Sequence, residues 1–186
     1  PEQSGYMMSV GYDMYLKLLN DAVLEQQGKR AEIMPECAAD LTVSAYIPER
    51  YVPAAEQRMD LYRRIAAIRT DGDAAELMDE MLDRFGDVPA AVKALLDVAL
   101  LRAAAAGAGI CDITQRGRQV VFSFGPQPDI AAVAAVCGMA CYRQRLQLSA
   151  AAQPKLTLYL QPDEEALSAA GKLVEELAVR HTEEKT

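Results

Sequence analysis

The hydrophobic period of this chain changes once, around Gly107 and Gly109, and that change limits its fold more than any other feature. Before it, apolar residues recur at the three-to-four spacing of amphipathic helices. After it, they alternate with a period of two, as half-buried strands do. Val10, Met14, Leu18 and the Ala22–Val23 pair mark a helix over 6–27, stopped by Gly28. A polar stretch and an alternating run at 41–48 follow, and Pro48 and Pro53 bracket an irregular connector. From Ala54 a second helix places Met59, Tyr62, Ile65 and Ile68 on one side. The stretch TDGDAAELMDEMLDRFGDVP carries a third. At about 100° per residue, Met78, Met81, Leu82 and Phe85 share a stripe, with Glu76, Asp79, Glu80 and Asp83 opposite. Gly86 closes this helix and Pro89 opens the next, to about Ala106, with Val92, Leu95, Leu96, Ala99 and Leu100 as its inner face. The two are expected as a helical hairpin.

Beyond the glycines, 110–115 and 119–124 read as a β-hairpin turning at Arg116 and Gly117. A short helix spans 129–137, and 142–149 and 155–160 alternate again as strands. Pro162 opens a terminal helix with Asp163, Glu164 and Glu165 in its first turn, where carboxylates suit the helix dipole. Leu167, Leu173, Val174 and Leu177 form its inner face. The expected class is α+β: an N-terminal linker helix, a helical hairpin, then a small mostly antiparallel sheet flanked by helices.

Charge and motifs narrow the function. The net charge of −8 over 186 residues opposes a general grip on nucleic-acid phosphates and suits a basic protein partner better. No apolar run approaches a membrane span and no signal-peptide pattern is present, so the expectation is a cytoplasmic chain with no membrane partner. Cys37, Cys111, Cys137, Cys141 and the single His181 lack the short paired spacing of metal ligands, so reduced thiols and no metal are expected. His181 falls in the last turn of the final helix, a position that suits contact with helix carbonyls. No phosphate-binding loop, dinucleotide fingerprint or nucleophile elbow occurs, and the expectation is a chain with no catalytic residues and no cofactor of its own.

Three motifs in order, EQSG-x5-GYDMYLKLL, AYIPERYVPAAEQRMDLYRRIA and ELMDEMLDRFGDVP, resemble the C-terminal end of the bacterial transcription-repair coupling factor family. The resemblance is dense from Glu2 to about Leu101 and rests on element order from Cys111 onward. It implies that 1–27 is a linker helix following a RecA-like motor and that 28–186 is a C-terminal regulatory domain. It also implies that the ATP and magnesium of the parent bind upstream. In that family the whole protein is an ATP-dependent double-stranded-DNA translocase. It displaces stalled RNA polymerase and recruits nucleotide excision repair through an N-terminal UvrB-like module that binds UvrA. The terminal domain is expected to dock on that module as an autoinhibitory clamp and mask its UvrA-binding surface. The implied docking face is Glu80 and Asp83, extended by Asp79 and Glu76, with Arg84 the lone opposite charge beside them. The plainer reading of the same residues is a solvated helix face. The alternative is an accessory DNA contact through Arg116, Arg118, Arg143 and Arg145, should the hairpin turn and the 142–149 strand lie side by side. The helix at 6–27 is open to two readings, a packed element or a lever moved by the motor.

Overall fold

The computed structural model describes residues 36–149 and 152–183, and the expected helix at 6–27, with the EQSG motif before it, lies outside them. The described residues fall into two units, one of 43–100 and one of 36–42 with 101–183.

The first unit is helical. It holds α1 (Ala55–Ala66), α2 (Asp71–Phe85) and the start of α3 (Ala90–Gly107). Its core gathers Ile47, Val52, Leu61, Ile65, Ile68, Leu77, Met81, Val92, Leu95 and Leu96, each nearly or wholly inaccessible. Such side chains contribute roughly 1.5–3 kcal/mol apiece on burial, which is what fixes three short helices against one another. Both ends of α2 are closed. At its start Thr70 Oγ1 accepts from the Asp73 N–H at 3.2 Å, while the Asp73 carboxylate accepts from the Thr70 and Arg69 N–H groups at 2.8 and 2.9 Å. This reciprocal capping box satisfies amides that a helix start otherwise leaves unpaired. At its end Gly86 turns the chain at φ 81°, and the Tyr51 hydroxyl donates to the carbonyls of Met81 and Gly86 at 3.2 and 3.1 Å.

The buried arc of α2 differs from the expected stripe. Ala74, Leu77 and Met81 form its centre, Met78 and Phe85 are half-buried, and Leu82 is 49% exposed. On the helical wheel Leu82 stands about 100° from Met81, beyond the arc that α1 and α3 cover.

The second unit is a five-stranded sheet with two helices. Its strands are β1 (Ala38–Asp40), β2 (Ile110–Arg116), β3 (Gln119–Phe124), β4 (Leu146–Ser149) and β5 (Lys155–Tyr159), in the order β1-β2-β3-β5-β4. All pairs are antiparallel except β1 with β2, so the expectation of a mostly antiparallel sheet holds. The β2–β3 turn comes one residue later than expected, at Gly117 and Arg118, with Gly117 supplying the positive φ that a two-residue hairpin needs first. Alternate residues Val120, Phe122, Leu156 and Leu158 are fully buried, and α4 (Ile130–Cys137) and α5 (Ala166–Glu183) contribute Val133, Val136, Leu173, Val174 and Leu177 to the buried set.

Three boundaries move. The extended run expected at 41–48 forms no strand; β1 lies just before it, because Ala38, Ala39 and Asp40 pair in register with Asp112, Ile113 and Thr114. The strand expected from residue 142 starts at Leu146, since Ala140–Tyr142 forms a 3-10 turn and Gln144 takes φ 63°. The last helix starts at Ala166, four residues past Pro162, because Glu164 folds back to accept from the Gln161 N–H at 2.9 Å.

Candidate functional site

The five residues that the sequence marks as a docking face all lie on α2, and the structure divides them. Glu80 is half-buried and occupied. Its carboxylate receives both terminal nitrogens of Arg64, from α1, with the Nη1–Oε1 contact at 2.8 Å, and Nη1 of Arg84 at 2.6 Å. A fork-on-fork arginine–carboxylate contact is among the strongest of charge-assisted hydrogen bonds. Those bonds hold the Glu80 carboxyl down to about 2 and push the Arg64 guanidinium up. Arg84 also lies over the Phe85 ring, 4.9 Å from its centroid, and Phe85 meets Tyr51 edge-on at 5.8 Å. Glu80 and Arg84 therefore belong to the internal structure of the helical unit. The expectation that Glu80 stands on a solvated face is corrected by its place on the wheel, about 60° from the buried Leu77 on the side where Arg64 sits.

Glu76, Asp79 and Asp83 are different. They are exposed and make no hydrogen bond or ion pair with any described residue. Asp79 and Asp83 are one turn apart and lie to one side of the exposed Leu82, so the outward side of α2 presents two carboxylates beside an apolar side chain. Glu76 lies one turn earlier, at an open cleft of about 260 Å³ lined by Arg64, Ala67, Ile68, Asp73, Glu76 and Leu77.

The four arginines of the alternative reading also divide. Arg145 is paired with Glu164 and its Nε donates to the Tyr159 carbonyl at 3.2 Å. Arg118 donates to the carbonyls of Leu160 at 2.8 Å and Pro162 at 3.4 Å. Arg116 and Arg143 are exposed. The cysteines are free thiols: Cys37 is buried, and burial pushes its thiol up to about 12. Among the described residues no cluster of three or more His, Cys, Asp and Glu is disposed to hold a metal ion, and no helix is long and apolar enough to cross a membrane.

Sequence reasoning missed three residues. Arg64 reaches Glu80 from 16 residues away, across a helix–helix contact that no spacing rule reveals. Thr70 and Asp73 were within reach: a Thr three residues before a carboxylate at a helix start is a capping signal.

The TRCF domain family matches residues 41–134. A transcription-repair-coupling factor of Staphylococcus haemolyticus is 32% identical over 124 residues, 66% of this chain and 11% of that protein. Another, from Bacillus subtilis, is 38% identical over 102 residues, 54% of this chain and 9% of that protein. The chain thus matches about a tenth of the length of these curated relatives. A crystal structure of the C-terminal domain of a transcription-repair coupling factor shares the fold, with a TM-score of 0.65 at 20% identity, over 82% of this chain and 98% of that one.

Proposed function

The chain belongs to the TRCF domain family, and from that premise we propose that it is a non-catalytic regulatory domain of a transcription-repair coupling factor. It docks through the outward side of α2 on the UvrB-like module of the same protein and masks the surface that this module presents to UvrA. The parent is an ATP-dependent translocase on double-stranded DNA that displaces stalled RNA polymerase, and its ATP and magnesium bind in segments before this one. The observation that carries the reading is the division on α2: Glu80 is occupied by Arg64 and Arg84, while Asp79 and Asp83 are exposed and have no partner among the described residues. The structural likeness to a C-terminal domain of that family supports the placement.

The strength of such a contact suits a clamp. Exposed ion pairs contribute roughly 0.2–1 kcal/mol each, so two or three of them with one apolar contact give weak binding. Within one chain the partner stands at an effective concentration of order 1 mM, and a Kd near 100 µM then keeps the clamp closed about nine-tenths of the time. A contact of this strength also opens readily when the motor moves. Titration calorimetry of the chain against the separate UvrB-like module tests the proposal. It should give a Kd of order 100 µM that weakens as salt rises; no heat at millimolar concentration would end it. The DNA-contact alternative gains nothing from the structure, because Arg118 and Arg145 are committed to carbonyls and to Glu164.

A further inference from the structure

We propose that Met139 is an oxidation site and that the sulfoxide oxygen formed there is held by the guanidinium of Arg180. The site lies in the sheet unit and is independent of the docking reading. Met139 follows the end of α4, and its backbone is fixed on both sides. Its N–H donates to the Val136 carbonyl and its own carbonyl accepts from the Tyr142 N–H, each at 3.1 Å. The residue is half-buried, so a small oxidant reaches it from solvent. Arg180, on α5, donates from Nη2 to the Met139 sulfur at 3.3 Å and to Glu176 Oε2 at 3.3 Å. Met59 and Met78 are half-buried as well, but neither sulfur takes a bond from any described residue.

The donors of Arg180 are poorly served. A thioether is a weak acceptor, and the Glu176 contact is long for a charge-assisted bond. Nε of Arg180 is inaccessible and has no partner, the one side-chain atom in that condition among the described residues. A buried donor left unpaired costs the desolvation of that group, and native folds rarely leave one without a use. Nε–H and the adjacent Nη2–H lie on the same edge of a guanidinium and form a planar fork. That edge already meets the sulfur of Met139 through Nη2. An oxygen added to the sulfur is a far stronger acceptor than the sulfur itself, and both arms of the fork can close on it.

The oxidant is a peroxide. A sulfur lone pair attacks one oxygen of hydrogen peroxide, and the O–O bond breaks as the S–O bond forms. The transferred oxygen gives its proton to the departing one, which leaves as water; sulfur loses two electrons and the peroxide gains them. Sulfur has two lone pairs, so one is open to attack while Arg180 holds the other, and rotation about the Cγ–Sδ bond swings the oxygen onto the fork. Methionine oxidation ordinarily sets a polar group among apolar neighbours and loosens the packing. Here the new group meets a donor that had no partner, and it ties the end of α4 to α5.

Two readouts on the whole chain test this. Hydrogen peroxide is added, cysteine products are reversed with dithiothreitol, and each methionine is followed by peptide mass spectrometry. The Arg180 Nε–H resonance should shift on the time course of Met139 sulfoxide; a resonance unmoved by complete oxidation at Met139 would overturn the proposal. Pulse proteolysis in urea of a half-oxidised sample then compares oxidised and unoxidised Met139 within the surviving chains. In wild type the oxidised form should have a midpoint equal to or above that of the unoxidised form. In Arg180→Lys, which keeps the charge and lacks the fork, oxidation should lower the midpoint. The same response in both chains, in either direction, would overturn the proposal, as would Met139 left intact while Met59 and Met78 are converted.

Discussion

The two units of this protein use charge differently. In the sheet unit three arginines turn back into the fold while Arg116 and Arg143 stay exposed: Arg102 donates to the Cys37 carbonyl at 2.7 Å, Arg118 to those of Leu160 and Pro162, and Arg145 to that of Tyr159 while pairing with Glu164. Short strands and irregular connections leave carbonyls without ladder partners, and these long donors satisfy them. In the helical unit Arg58 and Arg69 likewise turn back, onto the carbonyls of Val52 and Pro53 and of Ala66 and Ile68, but α2 satisfies its own backbone and has both ends closed by Thr70, Asp73 and Tyr51. Beyond the capping Asp73 it needs only Glu80 to hold Arg64 and Arg84, and Glu76, Asp79 and Asp83 make no bond with any described residue. Charge that stability does not require is the charge available to a partner.

That contrast can be broken at several points. The largest effect is expected from Arg145→Ala, which leaves the partly buried Glu164 carboxylate without its arginine and removes the 3.2 Å bond to the exposed Tyr159 carbonyl. It should cost about 1.5–3 kcal/mol in urea unfolding, whereas Arg116→Ala in the same unit should stay within about 0.5 kcal/mol. Equal losses would mean that the inward arginines do not hold the sheet unit's ends. Thr70→Ala removes the cap of α2 and should cost about 1 kcal/mol in the same measurement.

Glu80 has a pH signature. Its carboxyl ordinarily titrates at 4.5 and is held at about 2 by Arg64 and Arg84. The unfolded chain therefore takes up the proton first as pH falls. The contribution of Glu80 is complete above about 4.5 and is lost on the way down to about 2. Glu80→Gln should flatten that part of the acid-unfolding curve and leave the curve above pH 6 parallel to wild type. An unchanged acid limb would mean that the Glu80 ion pairs do not form in solution. The smallest effect belongs to Asp79→Asn with Asp83→Asn, expected within about 0.5 kcal/mol of wild type because neither carboxylate has a partner among the described residues.

Much of this fold was legible in the sequence because its signals are local. Gly86 and Pro89 delimit α2 and α3, Gly117 marks the hairpin, and Asp129 caps α4 by accepting from the Ala132 N–H. What was hidden depends on distance along the chain. The parallel pairing of β1 with β2 joins Ala38 to Asp112 across the entire helical unit, and three residues of strand carry too little pattern to announce it. The carboxylates of α2 were legible as a set, but the division among them was not. A helical wheel gives relative angles, whereas the width of the buried arc depends on neighbouring helices. Leu82 thus fell outside the arc, and Glu80 fell at its edge within reach of Arg64.

The division also selects the decisive variant. Reversing Glu80 would place a lysine against Arg64 and Arg84 and disturb the helical unit, so lost binding would carry no information about the face. The direct measurement is calorimetric titration of the UvrB-like module with wild-type chain and with Asp79→Lys/Asp83→Lys, at low and moderate salt. The account predicts weak, salt-sensitive binding that the double reversal weakens about ten-fold or more, with the variant's unfolding midpoint unchanged. Binding of equal strength in the two chains would contradict it and move the docking surface off α2.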